Sequence, residues 1–122
     1  MSAKSPTAAQ KRYALVQMDD IEALPCPCGS AKRAFTDEPG GIASLHVTRI
    51  CADSRTHYHK NMTELYYVLE GEGRMELDGQ SFPLRPGAAI MIRPGCRHRA
   101  VGDLNVLIVP IPAFDPDDEW FD

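Results

Sequence analysis

Four side chains of this sequence have the types and spacing of a metal-ligand set. They are His57 and His59 in His57-Tyr58-His59, Glu64, and His98 in Pro94-Gly95-Cys96-Arg97-His98. Side chains two apart on an extended strand share a face, so His57 and His59 can point the same way. Three imidazoles with one carboxylate suit iron, manganese, nickel, cobalt or zinc, and are too nitrogen-rich for calcium or magnesium. The pattern takes up three of the four histidines in the chain. Neutral imidazoles and one carboxylate leave a divalent ion net positive. An octahedral ion so held keeps two adjacent positions for water, substrate or dioxygen, and can act as a Lewis acid. The ligands must be deprotonated to bind, so occupancy should fall in acid.

Other residues could handle protons or anions. His46 shares strand parity with Thr48 and Ile50, and Tyr66 shares it with Glu64. If either faces inward, His46 and Tyr66 are the candidate catalytic groups; otherwise they are a structural histidine and a core aromatic. Tyr67 then faces the other way. Arg97 and Arg99 flank His98 on the opposite parity, which suits a solvated outer edge. Arg33 is the better partner for a substrate carboxylate. Cys26, Cys28, Cys51 and Cys96 make neither a Cys-x2-Cys zinc knuckle nor a second pair, and are expected to be reduced thiols.

The elements that must carry these groups read as short strands. Tyr13 to Gln17 is an apolar run fit for a strand, and Pro25 to Gly41, with three prolines and three glycines, reads as a long loop or arm. Val47, Thr48 and Ile50 favour a strand over Ile42 to Ile50, and Tyr66 to Leu69 one over Thr63 to Glu70. Arg74 to Leu77, Asp78-Gly79 and Ser81 to Leu84 form the pattern of a hairpin with a type I′ turn. Ala88 to Ile92, Arg97 to Val101 and Leu104 to Ile111 follow, divided by Pro94-Gly95 and Gly102-Asp103. Eight or so strands without an amphipathic helix predict an all-β barrel or sandwich, and a barrel best brings Glu64 and His98 to the histidine pair.

The ligand block also carries a resemblance. The first motif of the cupin superfamily, G-x5-H-x-H-x4-E-x6-G, is met by His57, His59, Glu64 and Gly71, with Cys51 in place of the leading glycine. The second, G-x5-P-x-G-x2-H-x3-N, is met by Gly87, Gly95 and His98, with Arg93 for the proline and Gly102 for the asparagine. Ile42 to Pro110 therefore resembles a small single-domain cupin. The resemblance implies a jelly-roll (double-stranded β-helix) barrel holding one divalent metal on His57, His59, Glu64 and His98. It also implies a small-molecule substrate. Dioxygenase chemistry with Fe(II) is the leading expectation, followed by isomerase or lyase chemistry on a sugar phosphate or carboxylic acid, and by a non-catalytic binding module.

At 122 residues the chain suits one domain. The expected division is a flexible N-terminus over 1–12, a barrel over 13–112 and a tail over 113–122. In the tail, five acidic residues alternate with Phe114, Trp120 and Phe121, which should lay it against the body or a neighbouring subunit. The net charge of −4 argues against a nucleic-acid surface. No apolar run is long enough to span a bilayer, and the first residues lack the apolar core of a secretory signal, so a cytoplasmic location is expected. Leu65, Tyr67 and Leu69 form an apolar outer set, which predicts a homodimer.

Overall fold

The computed structural model describes residues 11–122, so most of the expected flexible terminus lies outside the described residues. The chain is all-β. Seven strands occur among the described residues: β1 (Leu24–Cys26), β2 (Gly29–Ala34), β3 (Leu45–Ile50), β4 (Thr63–Leu77), β5 (Gln80–Leu84), β6 (Ala89–Ile92) and β7 (His98–Ile111). Every pairing is antiparallel, in the order β1-β2-β3-β7-β4-β5, with β6 against β4. The sheet curls into a jelly-roll barrel. Among the described residues the one helical turn is a 3-10 piece, Met18–Asp20, and no helix there is long and apolar enough to cross a membrane.

Alternation decides what faces inward. Along β3, His46, Thr48 and Ile50 are buried while Arg49 is exposed and pairs with Asp103. Along β4, Glu64, Tyr66 and Val68 are buried, whereas Tyr67 and Leu69 are exposed. The core joins Ile50, Tyr66, Val68 and Met75 to Ile92, Leu104 and Val106. The Asp78-Gly79 turn is as expected, with both residues at positive φ, 47° and 83°.

Three expectations are corrected. Tyr13 to Gln17 forms no strand; Tyr13 and Leu15 are largely exposed. Pro25 to Gly41 is not a loop, since most of β1 and all of β2 lie in it. Pro25 is tolerated because β1 is the sheet edge, where a missing N–H breaks no ladder. The runs split at Gly71 to Gly73 and at Gly102-Asp103 are two continuous strands, β4 and β7, paired from Thr63↔Ile111 to Leu77↔His98. A bulge between Val68 and Glu70 bends the pair, and the glycines let the backbones close up there. A Cβ at Gly71 would strike the Asp103 carbonyl, and one at Gly102 would strike Gly73.

Candidate metal centre

Local pairing brings the histidines together. His57 lies on an isolated antiparallel bridge directly opposite His98, which exchanges both backbone hydrogen bonds with it, at 3.1 and 2.8 Å. Cross-strand partners hold their side chains side by side, and the two rings are 4.3 Å apart at their centroids. His59, two residues on from His57, has its carbonyl pinned by the Gly95 N–H at 2.8 Å. One ring nitrogen from each of His57, His59 and His98 lies within 4.8 Å of the others. Glu64 adjoins this group on one side, its Oε1 3.1 Å from His59 Nε2 and 3.2 Å from His98 Nε2. His57 Nε2 instead has Glu119 Oε1 at 4.0 Å.

Each of the three imidazoles is oriented the same way. His57 Nδ1 donates to the Arg55 carbonyl at 3.0 Å, His59 Nδ1 to the Asp118 carbonyl at 2.6 Å, and His98 Nδ1 to the Cys96 carbonyl at 2.9 Å. A carbonyl can only accept, so the proton of each neutral ring sits on Nδ1 and the lone pair on Nε2. Three lone pairs then converge beside a carboxylate. His98 Nε2 is buried without a hydrogen-bond partner, which a native interior rarely allows. A cation at this point would satisfy all four groups, and backbone partners on the distal nitrogens are the usual support of metal-binding histidines. The donor set therefore fits a divalent transition metal.

The electrostatics agree with a demand for positive charge. Burial alone would raise the Glu64 carboxyl, but the facing His59 and His98 imidazoles outweigh it and hold its pKa down to about 2. Burial opposes charge on His59 too, yet Glu64 prevails and its pKa is raised. His57 moves the other way, lowered by burial and then by neighbouring His98.

A cavity of about 440 Å³ opens from this cluster into the barrel. His46 and Tyr66 both line it, as their parity allowed. Ser44 Oγ, which accepts the Phe114 N–H at 2.9 Å, holds His46 Nε2 at 2.8 Å. Burial, then the charge of Arg33, lowers the His46 pKa to about 4, so the ring is neutral at ordinary pH. Burial pushes the Tyr66 phenol well above its usual value and keeps it protonated. Arg33 reaches the same cavity, while Arg97 and Arg99 do not: Arg97 forks onto Asp122 at 2.8 and 2.9 Å, and Arg99 onto Glu76.

The tail contributes more than its composition suggested. The Asp118 carboxylate accepts the backbone N–H groups of Lys60, Asn61 and Met62 at 2.8 to 3.0 Å, and Trp120 bridges to Tyr58. Phe114, Glu119 and Phe121 thereby become cavity wall. Cys26 and Cys28 line it as well, both free thiols. The only sequence signal for the tail was its pairing of aromatics with acids; which acid would anchor it depends on a contact some 59 residues away along the chain.

Known proteins agree with this architecture. Residues 50–109 match the family described as "Cupin domain". A solved protein from Planctomyces limnophilus is 44% identical, with 93% of this chain and 99% of that one covered, at a TM-score of 0.85. L-ectoine synthase of Halomonas elongata is 45% identical over 53 residues, which is 41% of this chain and 39% of the enzyme. The chain spans about half the length of these curated relatives, L-ectoine synthases among them. The Streptomyces nucleoside dehydratase Pac13 shares the fold at 16% identity, with a TM-score of 0.73 and 88% and 89% of the two chains covered.

Proposed function

The chain belongs to the cupin superfamily, and on that premise we propose that it is a metal-dependent enzyme acting on a small, oxygen-chelating organic molecule. The observation that carries this is the convergence of three Nδ1-anchored histidines and buried Glu64 on one end of a cavity large enough for a metabolite. His57, His59, Glu64 and His98 are the proposed ligands. Iron, manganese, nickel, cobalt or zinc held there would supply Lewis-acid polarisation of a substrate oxygen, and iron would add dioxygen chemistry.

The chain's own groups favour proton transfer. His46 is neutral, and in the tautomer whose Nε2–H donates to Ser44 Oγ its Nδ1 is the nitrogen left to take a proton from a bound molecule. Tyr66, kept protonated by burial, can donate to a developing oxyanion. The tail walls one side of the cavity and limits the access of water. This supports isomerase or lyase chemistry on a sugar phosphate or carboxylic acid. Dioxygenase chemistry is the second reading, favoured by the three-histidine, one-carboxylate donor set.

The test is turnover by protein loaded separately with Fe(II), Mn(II) and Zn(II), against diols, diketones, hydroxy acids and sugar phosphates. Product is followed by NMR and oxygen by electrode. Conversion without oxygen uptake supports proton transfer, and conversion with stoichiometric uptake supports the dioxygenase. Ligand binding without conversion under any metal would leave a binding module as the better account.

A further inference from the structure

The cavity wall holds a cation with no carboxylate partner among the described residues. Arg33 stands on β2 directly opposite His46 on β3, and both side chains turn inward. Its Nε is buried and makes no hydrogen bond. No carboxylate among the described residues pairs with it; the ion pairs found there involve Arg49, Arg74, Arg97 and Arg99. The guanidinium instead lies over the Phe114 ring, 4.9 Å from its centroid, and that ring in turn meets His46 edge-on at 5.2 Å. The backbone N–H of Phe114 is tied to Ser44, so the platform beneath the guanidinium is fixed.

A buried guanidinium donor without an acceptor is a costly arrangement unless something else supplies one. Arg55 also lines the cavity but is exposed and stacks on Phe121, so water solvates it. Arg33 differs because its Nε is shut off from solvent while the side chain still faces the cavity. A planar fork held on an aromatic face is suited to two oxygens of a carboxylate or phosphate.

We infer that Arg33 recognises an anionic group of the bound molecule. The ligand then carries a carboxylate or phosphate at one end and an oxygen chelator toward the histidines at the other. This rests on the proposed metal centre for the second half of the statement only. It narrows the substrate class to bifunctional anions, such as hydroxy diacids or phosphorylated hydroxy acids, and excludes neutral diols and diketones.

The test compares matched pairs by isothermal titration of protein of measured metal content: malate against lactate, and 3-phosphoglycerate against glycerate. Each pair keeps the hydroxy-acid head and differs in the charged tail. The expected result is roughly tenfold or greater preference for the anionic tail in at least one pair, since a charge-assisted bidentate contact is at stake. Whichever pair responds tells carboxylate from phosphate. Arg33→Gln should abolish the preference without loss of metal, Arg33→Lys should restore part of it, and the exposed control Arg85→Gln should leave it intact. No preference in the native protein, or a preference that survives Arg33→Gln, overturns the inference. If the protein holds no metal, the centre fails separately. Arg33 is then read in the metal-free protein from the NMR signal of its Nε–H on addition of phosphate or acetate. A shift supports anion recognition, and an unmoved signal overturns it.

Discussion

His59 Nδ1 lies 2.6 Å from the carbonyl oxygen of Asp118, while the Asp118 carboxylate accepts the N–H groups of the three residues that follow His59. One residue of the tail thus orients a candidate ligand and clamps the backbone that carries it. Burial disfavours the charged carboxylate, but the three backbone donors and Trp120 outweigh this and lower its pKa.

Asp118→Ala should therefore cost about 3 kcal/mol of stability, from three backbone donors left without this acceptor, that of Met62 buried, and should weaken metal binding as well. Denaturant unfolding and metal titration measure the two effects. The pH dependence has a definite sign. A carboxylate whose folded pKa lies below its unfolded one stabilises the fold above about pH 4, and loses that contribution as pH falls toward the folded value. Asp118→Asn should be less stable than the native protein at neutral pH and should approach it in acid. Equal stability of the two at pH 7 would show that the charge of Asp118 contributes nothing to the clamp.

How much of this could be read from the chain depends on whether the signal is local. His57, His59, Glu64 and His98 were legible because strand parity and a fixed motif spacing place them. The Asp78-Gly79 hairpin was legible because positive φ demands those residue types. In the sequence β4 and β7 each look like two strands, since Gly71, Gly73 and Gly102 resemble turns; their purpose is a close backbone crossing beside a bulge, which only the partner strand reveals. β2 was hidden by the punctuation around it, Pro25, Pro27 and its own first residue Gly29, and with it the inward facing of Arg33. The role of Asp118 is wholly tertiary.

Replacing the proposed proton-handling groups should lower turnover and spare the metal. Tyr66→Phe and His46→Gln should each reduce kcat by roughly 10² or more, with metal content unchanged. With its pKa near 4, His46 is an unprotonated base across neutral pH, so the His46-dependent part of kcat should fall only as pH drops toward that value. Variants that keep full turnover would remove both residues from the chemistry.

The outer face of the barrel should pair with a second copy of the chain. Tyr67, Leu69 and Met91 are each more than 40% exposed, and Tyr67 and Met91 share an apolar depression with Leu65, Leu107 and Val109. Light scattering at micromolar concentration should return twice the 13.5 kDa monomer mass. Tyr67→Glu should bring it back to one copy. A native protein that is already monomeric at that concentration would contradict the dimer.

The central claim is the metal, and its most direct measurement is the number of divalent ions per chain in native protein and in His57→Ala and His98→Ala, alongside far-ultraviolet circular dichroism. One ion per native chain is expected, close to none in either variant, and an unchanged β spectrum in all three. An unaltered metal content in both variants, with the fold intact, would contradict it.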